Sequence, residues 1–214
     1  MRDEALECKM NSNGLPFNWF DVVVVAVLVI GLLRGRKRGM SEELISVLTW
    51  LAIAIGCAFI YQPLGTMIAG PGSAFSTLSG YLMAYLGAAL LIAGIFALLK
   101  KSMGGDKLVS SDTFGRSEFY LGMVAGMVRF TCMLIVALAL LNSRAYNTKE
   151  IQLENKYQKD VYGSDFFPTL YTVQAQVFEK SMMGPWIRQN LSPLLIKPTA
   201  PEQKQLKRKE LALP

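Results

Sequence analysis

Arg34, Arg36, Lys37 and Arg38 stand between two apolar runs in the stretch DVVVVAVLVIGLLRGRKRGMSEELISVLTW, from Asp21 to Trp50. That arrangement is the pattern of a membrane hairpin. Lys and Arg in a short connection stay on the cytoplasmic side, so this one cluster sets the direction of every later helix. Composition agrees: 52% of the 214 residues are hydrophobic and 18% are charged, too apolar for an ordinary soluble domain.

The formal charge of +6 does not point to nucleic acid, because the cations divide between short inter-helix connections and a long tail without interleaved aromatics. Histidine is absent, which removes the commonest general base and the commonest metal ligand. Cys8, Cys57 and Cys132 are too scattered for a disulfide framework or a zinc site, and two of them lie in apolar runs. Without a nucleophile–base pair, a phosphate loop or a ligand cluster, the expectation is no catalytic residues, no metal and no cofactor.

Residues 1–16 lack the positive start of a cleavable signal peptide and read as an external segment. Four spans follow, about 17–33, 44–61, 81–99 and 119–141. Phe17, Trp19 and Phe20 mark the outer interface of the first, and Ser41, Glu42 and Glu43 open the second with a capping hydroxyl and carboxylates at the positive end of the helix dipole. Residues 62–80, rich in Gly, Pro and Ser, read as an external loop. In the third span Ala89, Ala93 and Ala97 form a stripe that should face another helix, and Lys100 and Lys101 close it on the inner side. Residues 142–214 read as an extracytoplasmic tail with one amphipathic helix over about 168–183, stopped by Gly184-Pro185. It either lies on the membrane surface or packs on the bundle. Lys204, Lys207, Arg208 and Lys209 read as a basic end without order. The expected fold is an all-α integral membrane protein of four transmembrane helices plus an amphipathic C-terminal helix, N-out and C-out.

Asp21 in the first run, Gly35 and Gly39 with Arg38 beside the second glycine, Glu43, and Thr49-Trp50 form one set of landmarks; Leu121-Gly122, Gly126 and Arg129 form another. Together, over residues 20–141, they resemble the colicin V production protein (CvpA) family. The fourth span departs from that pattern at Phe119 and Phe130, where the family implies Arg and Gly, and at Glu118, where it implies Asp. The resemblance implies a non-enzymatic bacterial inner-membrane protein that supports toxin production or export; the alternative is an oligomeric small-solute channel or transporter subunit. Implied partners are the lipid bilayer and membrane proteins, or further copies of the chain, with no nucleic acid.

Gly122, Gly126 and Arg129 share one helix face, so a packing groove and an intramembrane guanidinium lie together. A charge at a helix centre costs about 3 kcal/mol on insertion scales and calls for a partner. Asp21 is the first candidate, forming an intramembrane charge pair with Arg129. The pair either lines a polar path or merely fixes packing; Glu43 or a lipid phosphate is the next candidate. Gly35, Gly39, Gly122 and Gly126 are expected to pack helices. Arg34, Arg36, Lys37 and Arg38 are expected to set topology or touch lipid headgroups.

Overall fold

In the computed structural model, residues 17–70, 75–102, 115–162 and 169–199 are described. The segment 1–16, the middle of the second internal connection and the basic end at Lys204–Lys209 lie outside them. Helix α1, Trp19–Ile68, begins with a reciprocal cap: the Asn18 side chain accepts from the backbone of the first turn, and Asp21 accepts from the Asn18 amide at 2.9 Å. Helix α2 is Thr77–Ser102 and α3 is Glu118–Leu141. All three are long and apolar enough to cross a membrane. Their outward surfaces carry large apolar side chains, with Leu90 and Leu98 of α2 74% and 70% exposed.

Helix α1 is one helix only by continuity of its hydrogen bonds. Gly39 leaves helical geometry at φ +76° and ψ 172°, a region open almost only to glycine. Both limbs, 19–38 and 40–68, nevertheless reach the same tail: Asn18 Nδ2 donates to the Gln176 carbonyl at 3.1 Å, and Tyr61 Oη accepts from the Lys197 amide at 3.1 Å. A straight helix would hold residues 18 and 61 about 65 Å apart at 1.5 Å per residue. The chain therefore turns back on itself at Gly39. The expected inner connection thus shrinks to one residue, and Arg34 to Arg38 form the last turn of the first limb. Ser41 does not take up its expected capping role, since its buried Oγ has no hydrogen-bond partner among the described residues.

The second limb also runs further than the reading of 62–80 as a loop allows, to Ile68. Pro63 removes only one backbone donor, and the turn is held by Thr66 Oγ1 on the Pro63 carbonyl and by the Ala69 amide on Gly65. Gly65 then meets Gly80 and Tyr81 of α2 closely, so the small residues of this turn make a contact rather than a coil. The line that α2 buries is Gly80, Ala84, Tyr85 and Ala88 against the second limb. Ala89 and Ala93 pack against the buried cluster at the margin of that line, as the stripe predicts, while Ala97 is exposed.

Backbone meets backbone between the first limb and α3. A methyl group on Gly35 would overlap the Gly122 carbonyl oxygen and come within 3.0 Å of the Gly126 Cα; one on Gly122 would lie 2.8 Å from Gly39. Gly31 belongs to the same row, a methyl there reaching the Gly126 oxygen at 2.9 Å. Such close approach is how helices associate where lipid removes the hydrophobic drive.

The tail departs most from expectation. Helix α4 spans Thr148–Tyr162, α5 spans Leu170–Phe178 and α6 spans Met183–Asn190, followed by a short 3₁₀ turn at Ser192–Leu194. The single helix expected over about 168–183 thus ends at Phe178. Gly184 and Pro185 open the next helix instead of stopping the last, because a first-turn proline gives up no intrahelical bond. Val177, Phe178, Ile187, Leu195 and Ile196 join Phe20, Tyr61 and Leu138 in one buried cluster, so α5 and α6 cap the bundle. Phe20, expected at the lipid interface, is 3% exposed beneath them.

Two leucine substitutions separate the crossing from the lipid face. Gly35→Leu is expected to abolish a monodisperse folded fraction in detergent, whereas Gly87→Leu, where an added Cβ meets nothing within 4 Å, should leave yield and melting temperature unchanged. Size-exclusion profiles of both variants check this; equal behaviour would remove the crossing from the account.

Candidate functional site

Beside the glycine crossing lies a cluster of charges. Glu43 is in the second turn after the bend and only 1% exposed. Arg129 Nη1 donates to its two carboxylate oxygens at 2.8 and 3.2 Å, and Arg38 Nη1 reaches Oε1 at 3.3 Å. Arg38 Nε also lies 3.5 Å from Glu42. The bend makes this geometry. Gly39 sits against Glu118 and Gly122 at the start of α3. Had α1 continued straight, Glu43 would lie about 6 Å further on, beyond α3 and far from Arg129. Folding back carries the carboxylate along α3 toward the arginine.

Asp21 and Arg129 do not meet. Asp21 Oδ2 accepts from the Met182 amide and Oδ1 from the Met183 amide, each at 3.2 Å. Those amides lead into α6, and the positive end of a helix dipole favours a carboxylate there. Depth in the membrane made Asp21 a plausible partner for Arg129; the free amides of a distant tail helix hold it instead. Around it, Trp19 Nε1 donates to Gln176 Oε1 at 2.6 Å.

Gly35, Gly39, Gly122 and Gly126 lie in one row with Gly31, which the sequence reading missed although it stands four residues before Gly35 on the same face. Of the four basic residues, Arg38 turns inward to Glu42 and Glu43, while Arg34, Arg36 and Lys37 are exposed and form no ion pair among the described residues. Among the described residues no group of three or more His, Cys, Asp or Glu is placed to hold a metal ion. The cluster is chemically suited to locking a helix bend: a buried carboxylate is held by two guanidiniums, while Arg129 Nε is buried without a hydrogen-bond partner among the described residues.

The family model for the colicin V production protein matches residues 20–187. The match covers α1 to α3 and runs on through α4, α5 and most of α6, beyond residue 141 where the resemblance seen in the sequence stops. No curated protein and no solved structure matches the chain.

A double-mutant cycle tests the pairing. Removing one partner of a buried pair costs about 3–5 kcal/mol, and Arg38 softens the loss of Arg129, so Glu43→Gln should lower the melting temperature in detergent more than Arg129→Gln. The double variant should recover part of the loss. By contrast Asp21→Asn combined with Arg129→Gln should be additive within about 0.5 kcal/mol, as for independent sites. Coupling in the second pair and none in the first would reverse the assignment.

Proposed function

Because the chain belongs to the colicin V production protein family, we propose that it supports the production or export of a colicin-type toxin as a non-enzymatic component of the bacterial inner membrane. The observation that carries this reading is the family match over residues 20–187. In it the two limbs of α1, α2 and α3 make four antiparallel spans, with N-terminus and tail outside. The arrangement of charge supports that orientation: Arg34, Arg36, Lys37 and Arg38 end the first limb, and Lys100 and Lys101 end α2, which runs antiparallel to the second limb and finishes near the bend. The capped pole, where α5 rests on Asn18 and the segment after the 3₁₀ turn rests on Tyr61 and Asn142, then faces away from the cytoplasm.

A channel subunit would need Arg129 directed at a shared axis between copies. Its guanidinium is instead engaged by Glu43 of its own chain, which favours a protein that acts through contacts over one that conducts. On this reading the Glu43–Arg129 pair holds the shape of the hairpin, and the lipid-facing surfaces and the capped pole remain for partners.

Two measurements test the proposal. A reporter active only outside the cytoplasm should work when fused after Gly72 or Pro214 and fail after Arg38 or Lys107; activity at Arg38 would invert the orientation. In a strain that makes a colicin-type toxin, loss of this protein should reduce toxin released to the medium at least tenfold, and the wild-type chain should restore it. Undiminished release would remove the toxin role.

A further inference from the structure

Lys37 tops a ridge that it forms with Leu33, one turn earlier on the first limb of α1, and a groove lies on each side of that ridge. One groove is a cavity of 870 Å³ lined by Leu33, Arg36, Lys37, Phe119, Tyr120 and Met123. The other, of 410 Å³, is lined by Ile30, Leu33, Arg34, Lys37 and Arg38. Both fall within the size range of small-molecule sites, about 300–1,000 Å³. Both have the same polarity, with an apolar floor toward the middle of the helices and cations toward their ends. Among the described residues no carboxylate lines either one.

The state of the cations decides what such a pair of grooves takes. Arg38 already faces Glu42 and Glu43, whereas Arg34, Arg36 and Lys37 have no ion-pair partner among the described residues. Three exposed cations at one helix end, without a carboxylate partner among the described residues, attract an anion. Phe119 and Tyr120, 59% and 70% exposed, add aromatic surface at the level where headgroups meet hydrocarbon. We infer that this double groove binds an anionic phospholipid of the inner leaflet, one acyl chain on each side of the Leu33–Lys37 ridge and the headgroup phosphate over Lys37 between Arg34 and Arg36. The site rests on the membrane placement proposed above and is independent of the toxin role. A free anion would use only the rim and leave both apolar floors uncovered, so the lipid is the occupant that accounts for the whole surface.

The test uses the full-length chain purified in a neutral detergent, with bound lipid counted by native mass spectrometry during titration with phosphatidylglycerol or phosphatidylcholine. Each cation near an anionic surface strengthens binding roughly fivefold, so with three of them phosphatidylglycerol should bind about a hundredfold more tightly than phosphatidylcholine. In the variant Arg36→Gln/Lys37→Gln that preference should fall about twenty-five-fold. Leu33→Trp, which fills the floor and keeps every charge, should also reduce binding, while Arg188→Gln/Lys197→Gln at the opposite pole should not. All these side chains are at the surface, and an unchanged lipid-free melting temperature confirms that each variant folds. Equal affinity for the two lipids, full phosphatidylglycerol binding by the Arg36/Lys37 variant, or displacement of the lipid by millimolar inorganic phosphate would each overturn the inference. Because no toxin is present, failure here leaves the release experiment to stand or fall separately.

Discussion

Everything in the bundle depends on the absence of side chains where the first limb of α1 crosses α3. Gly31 and Gly35 on one side and Gly122 and Gly126 on the other lie so close that one added methyl group would enter the opposite backbone, and Gly39 lies beside them against Gly122 and the Glu118 side chain. Dispersion between bare backbones falls off steeply with separation, so the contact exists at this spacing or hardly at all. The crossing also brings α3 near enough for Arg129 to reach a carboxylate on the returning limb. Packing comes first in this structure, and the electrostatics are built on the approach that it allows.

The two buried acids illustrate a division of labour. Glu43 receives two guanidiniums and is enclosed by the helices that carry them. Asp21 receives only backbone amides, three of them, at the opposite pole of the bundle. Each offsets a cost that its surroundings would otherwise carry: an arginine within the span in the first case, and the unsatisfied start of a helix in the second. The tail is consequently tied to the helices at four points, through Asp21, Gln176, Tyr61 and Asn142, besides its buried apolar face.

Much of the helical layout was legible in the chain because it rests on local signals. Long apolar runs, cations at one set of ends and glycines at four-residue spacing are each visible within a short window. The partner of Arg129 was not, since sequence spacing leaves both Asp21 and Glu43 within an arginine's reach of the right depth. The choice is made by amides 161 and 162 residues beyond Asp21, which no local pattern reports. The tail was misread for a related reason: Gly184-Pro185 signals an end when taken alone, and becomes a beginning only once the Asp21 carboxylate is there to receive the amides before it. The same holds for residues 62–68, whose Pro and Gly look like a loop until Tyr81 of α2 is set against them.

A hairpin that reverses at a single residue has no slack. Inserting or deleting one residue between Arg38 and Glu43 would rotate the whole returning limb by about 100° about its axis and shift it by about 1.5 Å. Glu43 would leave Arg129, Cys57 and Tyr61 would swing out of the buried cluster, and the face now turned to α2 would be the one that lies in lipid. Polar segments at a membrane edge ordinarily accept changes of length, because a loop absorbs them. Here the bend behaves as a gear with fixed phase: the chain can vary in identity around it, but its count of residues is part of the fold.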